Sequence, residues 1–153
     1  MSVTAAEALA ALRRRLESGS ISVPMYWFGD DPPVLPGDPA AFIYLVFNNE
    51  GSGGRPVAFG GGRGVNLYRS RATLEAYVFA PPIGVDGMGP VMTIAETIAA
   101  RLRSFRDANI SCFSADVVPV GPGSNISPPG MQSEVSNYLC AVAEIDLHFD
   151  QIG

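Results

Sequence analysis

Residues 67–106 constrain this chain more than any other stretch. Arg71-Ala72-Thr73-Leu74-Glu75-Ala76-Tyr77-Val78-Phe79 alternates in character like a strand, with Ala72, Leu74, Ala76 and Val78 on one face and Thr73, Glu75, Tyr77 and Phe79 on the other. Pro81-Pro82 cannot continue a ladder and closes the strand. Gly84, Gly87 and Gly89 supply a turn, and Pro90 suits the first turn of a helix. Val91, Ile94, Ala95, Ile98, Leu102 and Phe105 then form one apolar stripe at helical spacing, predicting a helix over 91–105 that ends near 107–109. A long strand feeding such a helix needs a sheet to pack on.

The flanking sequence extends that pattern. Thr4-Ala5-Ala6-Glu7 reads as a capping box, and Ala5, Leu9, Leu12 and Leu16 share a face, predicting a helix over 4–18 stopped by Gly19. Residues 21–28 hold a short strand, and 41–47 a strand apolar on both faces, which requires cover on both. Residues 112–120 and 137–149 read as a final strand pair, the second with strict alternation that places Glu144, Asp146 and His148 on one side. Glycine-rich 48–64, the acidic proline segment 30–39 and 121–131 are long connections. The expectation is one α+β domain over 1–153. Its mixed or antiparallel sheet has four to five strands, its two helices pack on one sheet face, and its glycine-rich loops are long.

Composition narrows the chemistry. All ten basic residues are arginine, which removes P-loop and Schiff-base lysine chemistry. A net charge of −5 opposes broad affinity for nucleic-acid phosphates. Only 16% of residues are charged, a low fraction that suits equally burial against partners and a loop-rich chain diluted by its 17 Gly and 13 Pro. Cys112 and Cys140 lack CxxC spacing and read as reduced core residues. No apolar run approaches the ~20 residues that span a bilayer, and no secretory leader is evident.

Catalytic constellations are sparse. His148, the one histidine, lies at i, i+2, i+4 spacing with Glu144 and Asp146, but strand spacing sets these groups in a row rather than around a metal. Gly60-Gly61-Gly62-Arg63-Gly64 does not match a phosphate-binding loop. Asp30 and Asp31 are adjacent and diverge, unlike carboxylates that face each other across a cleft. Tyr26-Trp27-Phe28 reads either as a buried edge strand or as an interface anchor. No catalytic, cofactor or metal residue is assigned.

The order of elements resembles the tail terminator proteins of long-tailed bacteriophages and related tail-like particles. The resemblance is carried by Ala8-Leu9-Ala10-Ala11-Leu12, by Arg71 through Pro81, by the Gly84–Gly89 turn, by Ala95-Glu96-Thr97-Ile98-Ala99-Ala100-Arg101-Leu102 and by the final alternating strand. It covers most of the chain, although the 30–38 and 121–129 loops go beyond its minimal pattern. It implies a non-enzymatic virion protein without a cofactor. Such a protein forms a ring, usually of six copies, on the last layer of tail tube protein. It stops tube growth and joins the tail to the head connector, with DNA passing through the lumen. Arg63, Arg69 and Arg71 are then expected to meet acids of a neighbouring subunit, with Gly60, Gly62 and Trp27 at the same contact. Three rival expectations remain: a head-completion or stopper protein, a ligand- or peptide-binding α+β module, and a metal hydrolase built on Asp146 and His148.

Overall fold

The computed structural model describes residues 2–30, 40–51, 53, 56–58, 64–82, 87–107, 109–120 and 138–153. The chain opens with α1 (Ala5–Glu17). Thr4 caps it: the Glu7 amide donates to Thr4 Oγ1 at 3.2 Å, and the Thr4 amide donates to Glu7 Oε2 at 2.7 Å. The predicted capping box is therefore present. It holds the Glu7 carboxyl below its ordinary range, through the Thr4 backbone bond first and its hydroxyl second.

Strands β1 (Met25–Trp27), β2 (Phe42–Gly51), β3 (Pro56–Ala58) and β4 (Leu67–Ala80) follow. Then come α2 (Gly89–Leu102), β5 (Arg106–Asp107), β6 (Ile110–Val120) and β7 (Leu139–Ile152). All seven strands belong to one sheet, in the order β1-β2-β4-β7-β6-β5, with β3 beside β4. β1 runs parallel to β2, and the other pairs are antiparallel. The α+β class and the mixed sheet hold, but the described residues form seven strands against the expected four to five. The additions are β3 and β5, three and two residues long, too short to leave a period in the sequence.

Helix α2 ends earlier than its apolar stripe predicts. Arg103 caps it, and Ser104 takes φ 61, a left-handed conformation that costs a non-glycine residue about 1 kcal/mol. The turn redirects the chain into β5, so Phe105 reaches the core from outside the helix. Arg106 consequently stands on a strand rather than on the helix end.

Both helices lie on one face of the sheet. Ala8, Leu12 and Leu16 of α1 and Val91, Ala95, Ile98 and Leu102 of α2 join Leu74, Ala76, Val78, Ala143, Ile145, Leu147 and Phe149 in the main core. The two helices are clasped at their C-terminal ends. Arg15 Nε donates to the Arg101 carbonyl at 3.3 Å, and Arg101 Nη2 donates to the Arg15 carbonyl at 3.0 Å. Gly19 makes room for the clasp, since a β-carbon there would land on the Arg101 guanidinium.

β6 carries a bulge. Cys112 pairs with Leu147 and Ser114 with Asp146, so Phe113 is an extra residue that reverses the phase of the strand. Ile110 and Cys112 face the core before it, and Ala115 and Val117 after it. On the outer edge of β6, Cys112 N–H donates to the Phe105 carbonyl and the Ala115 carbonyl accepts from Arg103. By alternation Pro119 also points outward, where its missing N–H costs no ladder bond.

Candidate functional site: the outer face of the sheet

The face away from the helices, here the outer face, changes character along its length. One end is aromatic and closed. Phe42, Tyr44, Val46, Tyr77, Phe79, Cys140 and Val142 are all buried. Phe42 stacks on Phe79 at 5.0 Å and meets Tyr26 and Tyr138 edge-on at 6.2 and 5.5 Å. Burial pushes the Cys140 thiol up to about 12 and the Cys112 thiol, on the helix side, up to about 11. Neither is in a disulfide, and the high values make both poor nucleophiles.

The other end is polar. Asp116, Glu144 and Glu75 stand directly opposite one another on β6, β7 and β4. Tyr77 Oη donates to Glu75 Oε2 at 2.7 Å, and burial followed by this bond raises the Tyr77 phenol well above its usual range. Ser114 Oγ donates to Asp116 Oδ2 at 2.9 Å. One step along, Thr73 Oγ1 lies 3.1 Å from Asp146 Oδ1 and 3.4 Å from Glu50 Oε1, so two carboxylates converge on one hydroxyl proton. The next row pairs Arg71 with His148. Phe113 stacks on His148 at 5.6 Å, and the Arg71 guanidinium lies 6.0 Å from the Phe113 ring. Glu50, Arg71, Ala72, Thr73, Phe113, Asp146 and Leu147 line an open-mouthed recess of about 160 Å³.

His148 titrates below its ordinary range, chiefly from desolvation and then from Arg69. Glu144, Asp146 and His148 do form the predicted row, and among the described residues no group of three His, Cys, Asp or Glu is placed to hold a metal.

Arg69 was expected to meet an acid of a neighbouring subunit. Instead its Nε and Nη2 donate to Asp150 Oδ1 and Oδ2 of the same chain at 2.8 and 2.9 Å. That fork holds the Asp150 carboxyl below its usual range, against a smaller opposing effect of burial. Arg71 is exposed, and among the described residues no carboxylate forms a salt bridge with it. Trp27 is 5% exposed and packs in the helix-side core. Arg13 covers its ring at 5.5 Å, and Glu17 and Asp30 hold Arg13 in turn. The exposed aromatic of that segment is Phe28, at 58%. Arg63, Gly60 and Gly62 lie outside the described residues.

The sequence reading missed Phe113, Thr73, Glu50 and the cross-strand acidic row. Phe113 left a trace: Cys112, Ala115 and Val117 cannot all share one face of a regular strand, so an inserted residue was readable there. The acidic row depends on register, which no single strand contains.

The geometry defines an α+β sheet protein with one helix-covered face and one half-open face. No protein-family model matches the chain, and no curated protein matches it. Among the described residues no helix is long and apolar enough to cross a membrane.

Proposed function

We propose that this chain is a structural subunit of a phage tail or tail-like particle. It assembles as a ring on the end of the tail tube, terminates elongation and joins the tail to the head connector. The observation that carries the reading is the succession of β4, Pro81-Pro82 and α2, with α2 packed on the sheet that β4 belongs to. That is the order of elements on which the resemblance rests. The surface supports a partnered life as well: Val57, Val65 and Ile152 are 55%, 50% and 43% exposed where β3, β4 and β7 meet, and Phe113 and Val118 are exposed on β6. The net charge of −5 suits a wall past which DNA slides without being gripped.

Light scattering with negative-stain images of the same sample tests this, on the protein alone and mixed with the cognate tube protein. Rings, free or seated on tube ends, are the expected result. A monomer that neither forms rings nor binds tubes overturns the proposal. The recess at Thr73 favours a second reading, a small binding module, which predicts a monomer whose melting temperature rises with a ligand.

A further inference from the structure

Two surfaces of opposite charge lie on opposite sides of the sheet. On the outer face, Asp116, Glu144 and Glu75 form a row, with Asp146 and Glu50 beside it, and among the described residues none of the five is in a salt bridge. Like charges directly opposite destabilise an isolated sheet, and the side chains that bond these carboxylates, Tyr77, Ser114 and Thr73, are neutral hydroxyls that orient them without cancelling their charge. Phe113 and Val118, 52% and 41% exposed, flank it on β6.

On the helix side, the clasp brings the C-terminal turns of α1 and α2 together and gathers Arg14, Arg15, Arg101 and Arg103. Arg15 and Arg101 are held by carbonyls, which orient a guanidinium without neutralising it. Arg14 and Arg103 are exposed; Arg103 Nη2 donates to the Ala115 carbonyl at 3.3 Å, and among the described residues the carboxylate that pairs with it is Glu96, at the loose distance of 4.0 Å.

We propose that these surfaces are the two halves of one contact between copies of this chain. The arginine-bearing helix ends of one copy dock on the carboxylate row of the next. Charge complementarity selects a second copy as the occupant: guanidinium forks suit carboxylates, and an exposed aromatic offers a face to an incoming arginine. The two surfaces occupy different sides of the molecule, so the contact is head-to-tail. Such contacts close into a ring or run on as a filament. The inference rests on the ring reading and names the surfaces that build the ring.

The test uses two charge-reversed variants of the full chain, Asp116→Arg/Glu144→Arg and Arg14→Glu/Arg103→Glu, with circular dichroism to verify folding. Light scattering follows their mass at low and high salt. The wild type forms rings that weaken as salt rises. Each variant alone falls to monomer, with association weakened at least about tenfold. Mixed one to one, they reassemble, because each contact is then either native or fully swapped. If the reversed acidic face fails to fold, the neutral Asp116→Asn/Glu144→Gln pair serves, with loss of rings expected.

Rings that persist in either variant, or a mixture that stays monomeric, overturn the docking and leave the ring reading standing. A wild type that forms no ring, alone or on tube protein, overturns both. Duplex DNA is added to the same samples. If the arginine variant keeps its mass but loses DNA binding, those arginines serve phosphate and the docking is wrong.

Discussion

The two faces of β4 are built from neighbouring residues and obey different rules. On the helix side Leu74, Ala76 and Val78 are completely buried, and every partner opposite them on β7 is apolar. On the outer side the same strand passes from Phe79 through Tyr77 to Glu75, Thr73 and Arg71, from closed aromatics to open charge. From Ala72 to Ala80 the first face packs into the core shared with the helices, so it is selected for volume and shape. The described residues leave the charged end of the second face open, so its side chains are free to be selected for what they meet. A strand that is uniform on one side and graded on the other separates what the fold needs from what contact with other molecules needs.

The largest test of that comparison sets two consecutive residues against each other. Leu74→Ala is expected to cost about 3 kcal/mol in urea unfolding, from lost burial and the cavity left behind. Thr73→Ala is expected to cost about 1 kcal/mol or less, the scale of one hydrogen bond to Asp146. Equal costs would show that the outer face is packed like the core.

Phe42→Leu probes the closed end. The shape change and the lost contacts with Phe79, Tyr26 and Tyr138 together are expected to cost about 1.5 kcal/mol. A value below about 0.5 kcal/mol would make that end a surface rather than a second core.

Acid separates the faces further. Asp150 has its folded pKa lowered from 3.8 and His148 from 6.5. In both cases the unfolded chain takes its proton first as pH falls. Stability is therefore lost on acidification in two windows: from about pH 6.5 down through the folded histidine pKa, and from the ordinary carboxylate range down through the folded Asp150 pKa. Arg69→Ala is expected to cost about 1 kcal/mol near neutral pH and nothing once Asp150 is protonated, measured as urea midpoints across pH. It also shrinks the histidine window, because Arg69 helps to lower that pKa. A cost independent of pH would mean that Arg69 acts by packing alone.

The smallest effect has the opposite sign. Glu144→Gln removes the middle carboxylate of the acidic row and is expected to stabilise the isolated subunit by a few tenths of a kcal/mol at low salt. A destabilised subunit would show that the row is already balanced within one chain.

The sequence revealed the helix-side architecture well, because that architecture is periodic. Thr4 and Glu7 announced the first helix, Leu74 to Val78 the long strand, and Leu139 to Phe149 its neighbour. It also put Glu144, Asp146 and His148 on one face. It could not reveal that Glu75 and Asp116 flank Glu144, since nothing local links residues that far apart in the chain. It overextended α2, because Phe105 keeps the helical spacing although Ser104 has already turned the chain. It left Trp27 open between a buried edge strand and an interface anchor, because an aromatic beside a loop looks the same whether an arginine of α1 covers it or not, and the fold takes the buried reading. Arg69 looked free for the same reason: its carboxylate partner is 81 positions away.

The bulge at Phe113 has a consequence for how this strand tolerates change in length. Removing one residue from a strand ordinarily throws every later side chain onto the wrong side. Here Cys112 and Ser114 already pair with consecutive residues of β7, so excision of Phe113 would leave a regular ladder with all its neighbours in phase. The exposed ring is a detachable insertion. A lineage could acquire or discard it in a single codon step without disturbing the core beneath.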